Sequence, residues 1–302
     1  MKEAVQLAPM RFFKYVTANT ARTILENSTL RWSSPAMFND PFDTQFDLHL
    51  EFDEATIIDL VLDEFWKIFS GQKILEPANS LGRVLELFLA RERGLTPDEI
   101  FRRHEHEIRD AVTKSIAIAK TRIPEELHPH QRLLLRNAKL LCLSEVHDNI
   151  LMWSHYAQNH SGAVLEFDSD ERKDSPFKMA ERVIYSKTMP RLMNEKEMVQ
   201  FLSGQWRMNP YEIVHNEIFV KADDWSYEKE WRIWLPDRDT DRDFIYIQFD
   251  REELVGIYFG CRMSEQDRTV LLDTLMMNFP NASAYQARKS AREFSLQFDR
   301  IR

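Results

Sequence analysis

The stretch RFFKYVTANTARTILENSTLRWSSPAMFNDPFD, Arg11 to Asp43, decides the fold class. Arg11 to Val16 is a short aromatic run that reads as a strand. Thr17 or Asn19 caps a helix whose apolar face carries Ala21, Ile24 and Leu25, spaced for one side of a 3.6-residue period. Leu30 to Ser33 reads as a second strand, stopped by Pro35. Phe38 to Asp43 follows as a turn, because Asn39 and Asp40 ahead of Pro41 suit turn initiation. Strand, helix and strand in direct succession point to an α+β architecture.

From Glu51 to Asn137 the periodicity is helical. Ile57, Ile58, Val61, Leu62 and Phe65 form one stripe, and Leu81 to Ala90 and Thr96 to Lys120 continue the pattern. Thr96 and Glu99 form a capping box with Pro97 at the first helical position, and Pro124 is expected to open a further short helix. Strand signals return at Leu140 to Ser144, Gly162 to Phe167 and Val183 to Tyr185. A helical stretch over Glu195 to Val220 precedes strands at Trp231 to Leu235, Phe244 to Phe249 and Leu254 to Phe259. A helix over Glu265 to Met277 and a last strand over Glu293 to Phe298 complete the reading. The expected organisation is an α+β core over residues 1–50 and 139–302, with a mixed, largely antiparallel sheet and a large helical insertion over 51–138.

The 302 residues are 43% hydrophobic and 12% aromatic, enough to bury a core. With 40 Lys and Arg against 49 Asp and Glu, the net charge is −9, which disfavours a nucleic-acid-coating role. Residues 91–140 run against this trend, with 11 Lys and Arg against 8 Asp and Glu. That surplus reads as a solvated helix face, so nucleic acid is a possible but not a favoured partner. Only 7 glycines are present, and G-x-G-x-x-G, Walker A, H-E-x-x-H, G-x-S-x-G and paired C-x-x-C patterns are missing. Cys142 and Cys261 lie in apolar runs and read as free thiols of a reducing compartment. No apolar run reaches membrane-spanning length, so the expectation is a soluble, cytoplasmic protein without a membrane partner.

Chemistry-bearing side chains gather in three places. In WSYEKEWRIW, Trp225 to Trp234, a strand reading sets Glu228, Glu230, Arg232 and Trp234 on one face, two carboxylates about 7 Å apart. Such a pair suits acid–base work on one substrate, or a plain half-exposed strand face whose glutamates pair with basic neighbours. In NILMWSHYAQNHSGAVLEF, Trp153, His155, Tyr156 and His160 crowd one connection, where rings and imidazoles can hold a planar ligand. In RWSSPAMFNDPFD, Arg31, Ser33, Ser34, Asn39 and Asp40 end a strand and enter a turn. They suit ligand hydroxyls or a cation, and equally an Asx-stabilised turn.

The blocks Phe13 to Asp43, Leu141 to Asp168 and Lys221 to Ile233 together resemble a bacterial family known as domain of unknown function 2971, whose name carries no activity. A polar first strand, the ILENSTL helix, a second strand ending in serines and a late Glu-x-Glu also resemble the ADP-ribosyltransferase scaffold, which splits the nicotinamide–ribose bond of NAD. That resemblance implies Glu230 as the essential acid and Glu228 as the group orienting the acceptor. It further implies Lys14 or Tyr15 on the ribose or phosphate side, Ser33 or Ser34 supporting the glutamate, and Tyr156 or Trp153 facing nicotinamide. Tyr227, beside the glutamates, completes the candidate binding set. NAD is then substrate, no metal is expected, and an unknown macromolecule is the acceptor, in stress or phage defence. Transferases of this type carry Arg or His where Lys14-Tyr15 stands here. On this reading Glu230→Gln abolishes nicotinamide release and leaves the melting temperature nearly unchanged. Two other readings stand beside it: a metal-dependent phosphodiesterase built on Asp40, Asp43, Glu228 and Glu230, and a non-enzymatic module presenting Trp153 to a partner.

Overall fold

A computed structural model of the chain describes residues 10–46, 48–169, 174–237 and 242–302. In chain order its elements are β1 (Met10–Val16), α1 (Ala18–Asn27), β2 (Thr29–Ser33), α2 (Glu54–Phe69), α3 (Ser80–Arg91), α4 (Pro97–Asn137), β3 (Ala138–Ser144), α5 (Ile150–His155) and β4 (Ala163–Ser169). Then come β5 (Glu181–Arg182), β6 (Ile184–Ser186), α6 (Glu195–Leu202), α7 (Pro210–Ile218), β7 (Val220–Ala222), β8 (Glu230–Pro236), β9 (Phe244–Gln248), β10 (Leu254–Phe259), α8 (Glu265–Asn278), β11 (Ser283–Lys289) and β12 (Leu296–Arg300). The opening follows the sequence pattern. Thr17 caps α1 by accepting from the Thr20 N–H, Ala21, Ile24 and Leu25 are buried, and Ser28 ends the helix in the left-handed region.

Two compact units divide these elements. The first holds the described residues up to Gln45, Leu135–Lys187 and Phe219–Arg302; the second holds Phe46–Leu134 and Thr188–Ile218. The first is an α+β unit around a curled, mostly antiparallel sheet in the order β12-β11-β10-β4-β1-β3-β2-β9. Within it β10 and β11 are parallel. β8 pairs with β3, β5 pairs with β8, and β6 and β7 form a separate parallel ribbon. One sheet face packs Phe12, Trp32, Leu165 and Phe167 with Ala21 and Leu25 of α1 and Leu271 and Leu275 of α8. The other face packs Phe13, Tyr15, Val164 and Tyr258 with Met152 and Trp153 of α5.

The pairing of β3 is uneven, and that positions the site. β8 follows β3 along its whole length, from Ala138 opposite Pro236 to Ser144 opposite Glu230. On the other edge β1 reaches β3 only at Ser144, opposite Phe13, and β2 only at Leu140, opposite Ser33. Between those two bridges the edge of β3 has no strand partner. There the Lys14 ammonium donates to the Cys142 carbonyl at 2.7 Å, doing for that carbonyl what a neighbouring strand would otherwise do.

The second unit is helical, with Ile57, Val61, Phe65, Leu85, Val112, Ile116, Met198, Leu202 and Ile213 in one core. Residues 188–218 lie here because Met198, Val199, Leu202 and Ile213 join this core; the sequence pattern, cut at 138, kept them with the sheet. Pro124 opens no new helix, since α4 runs through it as one element. The stripe of Ile116, Ala119, Ile123 and Leu127 keeps its phase across that position, so packing outweighs the lost backbone donor. The stretch expected as one helix over Glu195 to Val220 is broken, by Gly204 at φ +77° and by Pro210 opening α7. No helix among the described residues is long and apolar enough to cross a membrane.

Gly162 enters β4 under the end of β1, where an added Cβ would meet the Val16 carbonyl oxygen at 2.2 Å. Gly162→Ala is expected to cost about 2 kcal/mol of unfolding free energy, read by denaturant titration. An unchanged midpoint would show that this approach is not rigid.

Candidate functional site

Residues 225–234 do not form one strand. Asp223–Glu228 is a short 3₁₀ turn, Lys229 takes a left-handed φ of +44°, and alternation begins only at Glu230. Glu228 and Glu230 therefore do not share a strand face, contrary to the two-residue period expected. The kink at Lys229 turns Glu228 back, so both carboxylates meet the Lys221 ammonium, Glu228 at 2.5 Å and Glu230 at 2.9 Å.

Around that ammonium is a buried chain of charges. Arg232, fully buried on β8, donates from Nε to Glu230 Oε1 at 2.8 Å and from Nη2 to Asp43 Oδ2 at 2.6 Å. The Tyr156 hydroxyl donates to Glu228 Oε1 at 2.6 Å. Ser144 Oγ donates to the Glu228 carbonyl, and the Glu230 N–H donates to the Tyr185 hydroxyl oxygen. Each carboxylate is almost fully shielded from water, so each charge depends on its partners.

The environment separates the two glutamates. Burial works against ionisation of Glu230, but the Arg232 guanidinium and Lys221 ammonium outweigh it and hold this carboxyl far below the usual range. Burial raises Glu228, and the charge of Glu230 adds to it against the pull of Lys221, leaving this carboxyl above its ordinary value. Lys14 is lowered by burial, while Lys221 is raised because Glu230, Asp43 and Glu228 outweigh its burial. Two adjacent carboxyls with opposed proton affinities are an arrangement suited to acid–base chemistry.

Lys14, Asp43, Lys221, Glu228 and Glu230 line one cavity of about 440 Å³ at the uncovered edge of β3. Of the residues singled out in the sequence, Lys14, Tyr15, Arg31, Ser33 and Asn39 line it, with His155, Tyr156, Glu228 and Glu230. Arg31 is steadied by Ser33 Oγ at 3.1 Å and by the Phe244 ring at 4.5 Å. Tyr15 presents its ring, since its hydroxyl donates to the Val146 carbonyl.

The other candidates lie elsewhere. Trp153 is wholly buried in the sheet's second core, donating from Nε1 to the His147 carbonyl at 2.7 Å, so it neither faces this cavity nor presents a surface to a partner. Ser34 is buried and does not line the cavity, its N–H donating to the Asp243 carbonyl. Asp40 accepts from Trp225 Nε1 at 2.7 Å, and Tyr227 packs beside Trp225. His160 bonds Ser154 and lines a different cavity. The carboxylates Asp43, Glu228 and Glu230 converge on the cations Lys221 and Arg232, which sit where a divalent ion would have to. Among the described residues no group of three or more His, Cys, Asp or Glu side chains is placed to hold a metal ion.

Lys221, Asp43 as a charge partner, Cys142 and Phe38 had no assigned binding role in the sequence. Lys221 carried a readable signal: a lysine at the head of the block that holds both glutamates.

Removing the Lys221 charge strands two buried carboxylates, so Lys221→Met is expected to cost about 3 kcal/mol of stability, measured by chemical denaturation. The acid limb gives a sharper test. A carboxyl held low in the folded state adds stability that is present above its ordinary value of 4.5 and lost as pH falls below it. Glu230→Gln is therefore expected to flatten the fall of melting temperature below pH 4.5 relative to the parent chain. Parallel acid limbs would show that Glu230 is not held low.

Comparison with known proteins bears on the same block. No curated protein and no solved structure matches the chain. Residues 152–233, which include Tyr156, Lys221, Glu228, Glu230 and Arg232, match the family model described as "Protein of unknown function (DUF2971)".

Proposed function

We propose that the chain is an ADP-ribosyltransferase-like enzyme that takes NAD as substrate and breaks its nicotinamide–ribose bond. The observation that carries this reading is the convergence of Lys14, Ser33, Tyr156, Glu228 and Glu230, from three separated sequence blocks, on one cavity. The volume of about 440 Å³ suits most of a dinucleotide. Lys14 and Arg31 supply cationic groups for the pyrophosphate, and the rings of Phe38, His155 and Tyr156 supply planar surfaces for nicotinamide.

In the reaction the C–N bond between ribose and nicotinamide breaks, its electron pair leaves with the neutral nicotinamide, and positive charge develops on the ribose. Two neighbouring carboxylates stabilise that charge more in the transition state than in the ground state. The acceptor, a macromolecular nucleophile or water, then attacks the anomeric carbon and gives up a proton. Glu228 suits that proton better than Glu230, because its proton affinity is raised while Glu230 is committed to Arg232 and Lys221. The role of essential acid inferred from the resemblance thus passes to Glu228, and Glu230 becomes the positioning charge. Nor is Glu230→Gln a silent probe of chemistry, because it takes a partner from a fully buried Arg232.

Nicotinamide released from NAD by the purified chain is the direct test. Glu228→Gln keeps hydrogen-bond acceptance from Tyr156 and is expected to lower turnover by about 100-fold or more, with the fold retained by circular dichroism. Full turnover in that variant, or no nicotinamide release by the parent chain with a broad set of acceptors, would overturn the reading.

A further inference from the structure

A second cavity in the sheet unit, of about 510 Å³, lies between the connection Gln158–Gly162, the turn after β10 and the β11–β12 connection. It shares no lining residue with the first. Its walls are fixed. Gln158, Asn159 and His160 take positive φ in succession, an arrangement that persists only where surrounding packing imposes it. Gly260 supplies that constraint, since an added Cβ there would stand 2.1 Å from the His160 carbonyl oxygen, and the Arg262 N–H closes the contact at 2.9 Å. His160 stacks on Trp153 at 6.2 Å and bonds Ser154 through Nε2, leaving Nδ1 buried without a partner.

Three cations stand round this space, Arg262, Lys289 and Arg292, against one carboxylate, Glu293. None of the three is in an ion pair among the described residues. On the adjoining elements, by contrast, Arg268 pairs with Glu265 and Arg288 with Asp299. Unpaired cations converging on a fixed cavity in a chain of net charge −9 make a local anion site that the overall field does not. Phe294 stands at the rim, 99% exposed, a large ring with nothing covering it. Arginine and lysine grip phosphate oxygens, and an exposed aromatic face stacks bases of any sequence. We propose that this cavity binds a nucleotide, its phosphates among Arg262, Lys289 and Arg292 and its base on Phe294.

Histidine resonances read the two cavities separately, His160 for this one and His155 for the first. Titration of ADP into the whole chain is expected to shift the imidazole signals of His160, assigned with His160→Gln, to saturation. Arg262→Ala with Arg292→Ala is expected to weaken that response about tenfold or more while leaving any response of His155 intact. Phe294→Ala is expected to weaken ADP and not inorganic pyrophosphate. Three results would overturn the assignment: ADP that moves only His155 or neither histidine, a double variant that binds as the parent does, or pyrophosphate and ADP that bind equally. None of them depends on whether the first cavity turns over NAD.

Discussion

A guanidinium with no access to solvent sets the terms for the whole site. Arg232 stands on β8, where Asp43 and Glu230 meet its charge at hydrogen-bond distance. Asp43 comes from the turn after β2 and Glu230 from the start of β8, so the pairing ties two elements far apart in sequence. Lys221 extends the chain of charges to Glu228, and Tyr156 closes it from the end of α5. Such networks are expensive to desolvate and add little net stability. What they supply is position, since each member holds the next in one geometry.

The opening beside that network follows from strand pairing. β1 and β2 each touch β3 at a single residue, so the sheet splits, and Lys14 tends the backbone carbonyl left exposed in the gap. A continuous sheet would fill this space with backbone. The split instead leaves room for a ligand beside a lysine, an arginine and two carboxyls of opposed proton affinity. The same curled unit carries a second cavity at its far connections, where strained backbone and unpaired cations occur together without any role in the first.

Much of the fold was legible because its signals are local. Thr17, Ala21, Ile24 and Leu25 mark a capped amphipathic helix, and the runs that became β1, β2, β3, β4, β9 and β10 are rich in aromatic and branched residues. β11 escaped notice because its buried positions, Ala284 and Ala287, are small and give no apolar alternation. In the site, the convergence of separated blocks was legible as a set of residue types, but its charge order was not. A strand period cannot foresee the left-handed turn at Lys229 that brings Glu228 round. Lys221, seven residues before Glu228, becomes a partner only through that turn. Trp153 looked like a ligand ring and is a core residue instead, since a tryptophan whose N–H finds a carbonyl is as well placed inside as out.

The account rests on a nicotinamide dinucleotide lying against Glu228 at the split of the sheet, and a crystal structure of the Glu228→Gln chain with intact NAD tests that directly. The account predicts the nicotinamide ribose beside residue 228, with its pyrophosphate toward Lys14 and Arg31. A site beside residue 228 that stays empty of NAD at saturating NAD, whatever binds elsewhere on the chain, would contradict it.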